Sequence, residues 1–438
     1  MSAGAGLRRR RLGGVIAVTT VVALALGACG QNGDENTQTG DVVGLTDTGG
    51  PKVTAADCAG LKNGPGVTDS TITIANASDM SGLVPGLFKD AQQAVRAYVE
   101  YFNAGQDICG RKLEYLPLDS RLDAGGDQQA AQQACENAFA MVGSMSAFDS
   151  GGAPVVTKCG IPDLRVATVT PARYKSPATY ATNSLAVNLV PSVVPSYFQE
   201  KYPDAVAKAA FLYLNAGSGL DNGKSQIAAY EKAGWKFTYT QAIDPLDVNY
   251  TPYILAMKKK GVRFVQFIGD YNSAARLAKV MAAQQFKPDI YLLDAAGYDF
   301  KFVRLAGPAG EGTRLFINSA LLEEAESNEE LRRYIGWLGK VSPNAQPTYF
   351  GMFAWSAARL FTEEAIKLGG KLDRASMVSA YSKVDGWEGH GLHAAMAVGK
   401  KQTSGCTQVL KLENGSWVRE SGDGFICGPL IDSGYTGD

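Results

Sequence analysis

The stretch that decides the fold is Thr71-Ile-Thr-Ile-Ala75, followed by Lys89-Asp-Ala-Gln-Gln-Ala-Val-Arg-Ala-Tyr-Val-Glu-Tyr-Phe-Asn103 and then Lys112-Leu-Glu-Tyr-Leu-Pro-Leu118. The first segment is β-branched and apolar and reads as a strand. The second carries Ala91, Ala94, Val95, Tyr98, Val99 and Phe102 at helical spacing, so one side of a helix is apolar. The third reads as another strand. A strand, a helix and a strand in succession form a right-handed crossover with the two strands parallel.

The alternation continues outward from this unit. The spacing predicts a helix over 127–138, a strand over 139–142, a short helix over 152–159 and a strand over 165–169. After a Pro-containing helix near 192–202 the pattern restarts. Strands are expected at 209–214, 236–241, 264–268, 290–293 and 314–317, with helices at 224–232, 253–260 and 273–285. Two doubly wound parallel sheets in tandem follow from this order. A long apolar helix over 350–368 comes next, then a β-rich tail. In the tail, strands over 408–412 and 417–420 flank Asn414-Gly415, a hairpin signal. Two charge runs read as structural. Lys258-Lys259-Lys260 before Gly261 suits a helix end, and Ser327-Asn328-Glu329-Glu330 suits a capping box at a helix start.

The chain has 438 residues, 45% of them hydrophobic and 19% charged, a globular balance. The roughly 380 residues beyond position 57 are too many for one ordinary domain and suit two lobes. At the start, Arg8 to Arg11 precede an uncharged apolar run over 12–26 that ends in small residues. This is the pattern of a secretory signal. Residues 30–57 are poor in apolar side chains and contain Gly49-Gly50-Pro51, so they read as a tether, reaching about 30 Å root-mean-square. Without the four signal arginines, 38 basic residues face 43 acidic ones. A net charge of −5 argues against nucleic acid as a partner.

Seven cysteines are Cys29 at the end of the signal and six beyond it. An even six in an exported chain suggests three disulfides among 15 connectivities. Cys406 and Cys427 flank the hairpin and pair first. In the α/β reading Cys58 and Cys109 precede the first two strands at the same sheet edge, while Cys135 falls late in the second helix and Cys159 follows the third. The expected pairs are therefore Cys58–Cys109 and Cys135–Cys159, with buried free thiols as the alternative. No Cys-x-x-Cys occurs, so metal binding is not indicated.

Three features invite an enzyme reading. Ser218-Gly-Leu-Asp-Asn-Gly223-Lys224-Ser225 is one residue short of a phosphate-binding loop, and Gly217-Ser-Gly219 lacks the third glycine of a dinucleotide site, where Asn222 stands. What remains general is that amides at a helix start receive anions or polar groups. The two histidines, His390 and His393, lie beside Glu388 and would have to supply any metal site or catalytic base. No Gly-x-Ser-x-Gly elbow is present.

Two resemblances go further. Leu26-Gly27-Ala28-Cys29 resembles the lipobox of bacterial lipoproteins, which implies that residues 1–28 are removed and that Cys29 carries the lipid holding the protein on the membrane. From about residue 67 to 430 the chain resembles the solute-binding proteins of branched-chain amino-acid ABC importers. The resemblance rests on Gly66-Val67-Thr68-Asp69-Ser70-Thr71-Ile72-Thr73-Ile74, on Asp79-Met80-Ser81-Gly82 with Gly86, and on Asn103-Ala104-Gly105 before Cys109-Gly110-Arg111-Lys112. It rests also on Met141-Val142-Gly143-Ser144, Gly160-Ile161-Pro162 and Asn249-Tyr250-Thr251-Pro252. It implies the type 1 periplasmic binding protein fold, two doubly wound parallel-sheet lobes joined by a three-crossover hinge. Residues 67–188 and 319–384 would form the first lobe and 189–318 and 385–430 the second, with 29–66 as tether and 431–438 as tail. It implies a binding protein without catalysis or cofactor, taking a small-molecule ligand and meeting ABC permease subunits. A sensor reporting to a membrane kinase and an exported hydrolase are the other classes.

In open parallel sheets ligands sit beyond the carboxyl ends of strands, and clefts between lobes are favoured pockets. The candidate site is thus Ser78, Asp79, Met80, Ser146, Ala147, Phe148, Thr168, Val169 and Thr170 in the first lobe, with Asn215, Gly217, Asp270, Tyr271, Asp294 and Tyr298 in the second. By the resemblance, Ser146 and Thr170 would hold a carboxylate, Tyr271 would flank the ligand, and Asp294 or Asp270 would hold an ammonium. Met80, Met145 and Phe148 are bulky, which makes an aromatic or other hydrophobic acid the competing ligand.

Overall fold

The computed structural model describes residues 58–183 and 186–437. The expected signal, Cys29 and most of the tether lie outside the described residues. The first sheet contains β1 (Thr71–Ser78), β2 (Lys112–Asp119), β3 (Ala140–Val142), β4 (Asp163–Arg165) and β5 (Thr179–Ala181) in the order β2-β1-β3-β4-β5. Every pair is parallel. After β6 (Leu189–Pro191) the second sheet is built from β7 (Ala209–Leu214), β8 (Phe237–Ile243), β9 (Phe264–Ile268), β10 (Ile290–Leu293) and β11 (Arg314–Ile317). It closes with β12 (Cys406–Glu413) and β13 (Ser416–Arg419), in the order β13-β12-β11-β10-β9-β7-β8. The added strands run antiparallel, and Asn414 and Gly415 both take positive φ in the tight turn between them, which Gly415 adopts freely. Short β14 (Ile426–Cys427) pairs with β12, and β15 (Leu430–Asp432) with β6.

The central strands are buried throughout, as in β9 with every residue buried, because helices cover both faces of a parallel sheet. Helix Tyr349–Leu368 lies in the largest core cluster, with Trp355 and Phe361 fully buried. It packs on helix Lys89–Gly105, and Tyr98 meets Trp355 edge-on at 4.9 Å. The chain thus returns to the first sheet after β11 and reaches the second again at β12, crossing three times. Residues near 400 still belong with the first sheet: Lys401 Nζ donates to the Tyr174 and Ser176 carbonyls at 3.1 and 2.5 Å. The third crossing therefore comes after the expected 385.

Three expectations are corrected. The fourth strand is Asp163–Arg165, and residues 166–170 run on beyond it as irregular backbone. The second-lobe helix starts at Gly217, seven residues early, so the near-P-loop forms its first turns. Asn328, not Ser327, caps helix Glu329–Val341 by accepting from the Leu331 N–H. An apolar run and a glycine-rich run were misread because neither distinguishes a strand, a helix or a buried loop.

All three disulfides are as expected: Cys58–Cys109, Cys135–Cys159 and Cys406–Cys427. The first ties the described end of the tether to the first lobe. At the other terminus, Ser433 bonds Ser225 at 2.9 Å and the Tyr435 hydroxyl donates to Asp221 at 2.5 Å, so the tail is held on helix Gly217–Lys232.

Candidate functional site

A cavity of about 660 Å³ opens between the two sheets, lined from both sides. From the first lobe come Leu83, Val84, Leu87, Phe88, Met145, Ala147, Phe148, Ala167 and Val169; from the second come Leu214, Ser218, Ile268, Asp270, Tyr271, Arg276, Asp294 and Tyr298. Its floor is the hinge. Asn183, just beyond β5, donates from Nδ2 to the Tyr349 hydroxyl at 2.8 Å; that hydroxyl donates to Asn318 Oδ1 at 2.6 Å; and Asn318 Nδ2 donates back to Asn183 Oδ1 at 3.0 Å. The Ala394 N–H reaches the Asn318 carbonyl at 2.8 Å, bringing in the segment before the third crossing. A closed ring of bonds satisfies these buried amides and fixes where the crossings meet.

Seven of the fifteen candidate residues line the cavity: Ala147, Phe148, Val169, Asp270, Tyr271, Asp294 and Tyr298. The structure does not bring the other eight, Gly217 among them, to the wall. Ser78 is buried and donates to Asn76 Oδ1 at 2.7 Å. Asp79 is buried and accepts from Ser120 Oγ at 2.6 Å, Leu122 N at 3.0 Å and Ala147 N at 2.8 Å. Burial pushes its carboxyl pKa up against these bonds. The Met80 amide is held by Asp119 at 3.0 Å. Ser146 and Thr168 are buried, and Thr170 Oγ1 donates to Asp149 Oδ1 at 2.5 Å while capping helix Pro171–Lys175. Asn215 is exposed. These groups work behind the wall: Asp79 holds Ala147, and Asp149, through the Val169 N–H at 2.9 Å, holds Val169.

Behind Asp149 lies a cluster of five fully buried charges. Arg173 Nε is 2.9 Å from Asp163 and its Nη1 is 3.7 Å from Asp127, while Arg165 approaches Asp149 and Asp163 at 3.9 and 3.7 Å. Burial raises the Asp149 pKa to about 6, despite the two arginines.

In the second lobe, Asp270 caps helix Tyr271–Ala283 through the Asn272 and Ser273 amides at 2.8 and 3.1 Å. Tyr271 lies under the Lys301 ammonium at 4.8 Å. The Tyr298 hydroxyl accepts from the Leu322 N–H at 2.8 Å and donates to Glu323. Asp294 accepts the Ala296 N–H at 3.2 Å, and burial pushes its pKa up to about 7. Helix Gly217–Lys232 does not offer its first amide to a ligand: the Ser218 N–H donates to the Ala147 carbonyl at 2.9 Å, joining the two lobes. Gly217 permits this approach, with φ of +49° and space in which a Cβ would stand 2.6 Å from that carbonyl.

The enzyme features fall away from this cavity. His393 is buried in the core, where Nε2 meets Ser356 Oγ at 2.8 Å and burial lowers its pKa to about 4. His390 pairs with Glu363 at 2.6 Å. Neither lines the cavity.

A sequence profile described as "Periplasmic binding protein" matches residues 71–416. The chain belongs to the periplasmic binding protein family. No curated protein matches its sequence. Among solved structures, a leucine binding protein from Thermotoga maritima is similar at 15% identity and a TM-score of 0.68, over 83% of this chain and 99% of that one. A fatty acid ABC transporter substrate-binding protein from Thermomonospora curvata matches at 20% identity and 0.70, over 86% and 96%. A solute binding protein from R. palustris in complex with benzoate matches at 15% and 0.68, over 84% and 99%. The type 1 fold is thus established, and the family is one of binding proteins, not enzymes.

Three charged cavity residues of this periplasmic binding protein escaped the sequence reading: Asp299, just past Tyr298, and two on helices. Asp90 sits in the first turn of helix Lys89–Gly105 and accepts from Thr348 Oγ1; burial pushes its pKa up to about 6. Arg276 is on the inner face of helix Tyr271–Ala283, donates to the Asp247 carbonyl at 3.1 Å and lies 5.5 Å from the Tyr250 ring. Among the described residues it is the one lysine or arginine lining the cavity. Both lie within helices, where a reading confined to strand ends does not look.

Proposed function

We propose that this chain is an extracytoplasmic solute-binding lipoprotein that captures a hydrophobic organic acid between its lobes and delivers it to the permease subunits of an ABC importer. The observation that carries the ligand class is the apolar first-lobe wall of Met145, Ala147, Phe148, Ala167 and Val169. An amino acid would need hydroxyls or amides there for its carboxylate, and Thr170 instead serves Asp149. Burying an ionised head without such partners costs several kcal/mol. Arg276 supplies a guanidinium suited to a carboxylate.

The acids on the wall do not oppose this reading. Burial drives Asp90 and Asp294 toward the neutral form. Asp270 caps a helix, and Asp299 faces Lys301 at 3.7 Å. The fatty acid and benzoate named for two structural neighbours agree with the class proposed. Anchoring rests on the lipobox resemblance at Cys29; Cys29→Ser should leave the protein soluble or unprocessed, and membrane retention with unchanged maturation would refute it.

A thermal-shift screen of amino acids, amides, aromatic acids and aliphatic acids tests the ligand class. A ligand that binds only the folded state at a hundred times its Kd stabilises by about 2.7 kcal/mol. Acids should raise Tm and leucine should not. Stabilisation by amino acids alone, abolished in Asp294→Asn, would overturn the acid reading.

A further inference from the structure

The tail does not stop at the second lobe. Residues 417–438 lie beyond the span matched by the family profile. The Cys406–Cys427 bridge and the β14–β12 pairing fix their start to the second sheet, and β15 then pairs with β6, just past the first crossing. From there the tail runs along helix Gly217–Lys232 toward its amino end. Lys232 Nζ donates to the Asp432 carbonyl at 2.8 Å, Ser433 Oγ meets Ser225 Oγ at 2.9 Å, and the Tyr435 hydroxyl donates to Asp221 Oδ1 at 2.5 Å.

Two residues further on, Gly437 reaches the first lobe. It stands so close to Pro171 that a Cβ there would fall 2.4 Å from the ring Cγ, and its φ of +88° favours glycine. Pro171 opens helix Pro171–Lys175 directly after Val169 and Thr170, and Val169 lines the cavity. The helix under the tail is the one whose Ser218 N–H meets the Ala147 carbonyl of the first lobe and whose Asn222 and Gln226 line the same cavity. Asp221 and Pro171 thus belong to lobe edges that face each other. A hinge opening cannot part those edges while the tail holds both.

We infer that residues 433–437 form a strap across the cleft, which keeps the lobes closed until it leaves Pro171 or peels from Asp221. The inference rests on the reading that a ligand is held between the lobes, and it adds a control on when the cavity opens. Opening breaks the Ser218–Ala147 bond together with the strap's own contact. The Tyr435–Asp221 bond fixes the strap to the second lobe, and a hydrogen bond to a carboxylate is stronger than one between neutral groups. Losing it should raise the open fraction about tenfold.

The experiment is amide hydrogen exchange, without ligand, on the wild type, on Tyr435→Phe and on a chain ending at Ser433, which keeps β15 and the Ser225 contact. The Ser218 amide should exchange about tenfold faster in Tyr435→Phe and at least as much faster in the shortened chain, while the amides of β9 keep their wild-type rates. Spin labels on Leu83→Cys and Leu246→Cys, exposed on opposite lips of the cavity, should show a longer separation in the shortened chain. Unchanged Ser218 exchange in both variants overturns the inference. Faster exchange with the label separation unaltered also overturns it, because the helix start then frays while the lobes stay shut. Equal acceleration in β9 does so too, since it would mean a general loss of stability. None of these outcomes touches the acid-binding reading, which the thermal-shift screen decides separately.

Discussion

Replacing Asp294 by Asn should stabilise the empty protein, and the gain should grow with pH. The carboxyl accepts the Ala296 N–H at 3.2 Å, and burial raises its pKa from 3.8 to about 7. Between these values the folded protein holds a proton that the unfolded chain has released. The unfolded state therefore binds fewer protons, and stability falls as pH rises through this window. At about 1.4 kcal/mol per pH unit, the ceiling is about 4 kcal/mol above pH 7. The side chain is only half-buried and lines a cavity that water enters, so about 2 kcal/mol is the working expectation. Urea unfolding of wild type and Asp294→Asn at pH 4, 5.5, 7 and 8.5 reads it directly. The two proteins should coincide near pH 4, diverge up to pH 7 and stay parallel above. A difference independent of pH, or an Asn variant less stable at pH 8.5, would refute the reasoning. The same variant should bind an acid ligand as tightly as wild type does, whereas a ligand held by its ammonium would lose affinity tenfold or more.

Arg173→Met should destabilise by about 3–5 kcal/mol in denaturant unfolding, because it leaves Asp127 buried without its cation and Asp163 with only the more distant Arg165; a loss under 1 kcal/mol would mean that water reaches the cluster. Gly217→Val should lower Tm and weaken ligand binding at least tenfold, since a β-branched residue is strained at φ +49° and its side chain strikes the Ala147 carbonyl where the lobes touch; unaltered affinity would show that this contact is not needed for capture. Removing Cys406–Cys427 by paired Ser substitution should cost about 3 kcal/mol for its separation of 21 residues, and stoichiometric labelling of Cys406 in the unreduced native protein would contradict the bridge.

The architecture was legible from residue order. Segments such as 71–75, 209–214 and 264–268 are apolar over strand length, and the helix of Ala91, Ala94, Val95 and Tyr98 has one apolar side. Such periodicity is a local property, and it holds because each element buries one face. The disulfide pairs were legible for the same reason, since Cys58 and Cys109 precede adjacent parallel strands, β1 and β2. The cavity's second-lobe contacts Asp270, Tyr271 and Asp294 followed from topology, which puts the residues after β9 and β10 at the sheet's carboxyl edge.

The direction in which a polar side chain turns is not a local property. Ser146, Thr168 and Thr170 stand at the same strand tips as Ala147 and Val169, and in sequence their hydroxyls are the natural ligand contacts. The fold turns Thr170 onto the buried Asp149, lets Ser146 Oγ accept from the Phe148 N–H at 3.3 Å and buries Thr168. Arg276 and Asp90, spaced as ordinary helix residues, join the charged groups of the cavity only when two lobes distant in sequence face each other. The sequence by itself determined the class of fold, the bridges and the sheet edge that borders the cavity. The tertiary structure decided the chemistry of that edge, because burial and hydrogen-bond satisfaction are settled between elements and not within them.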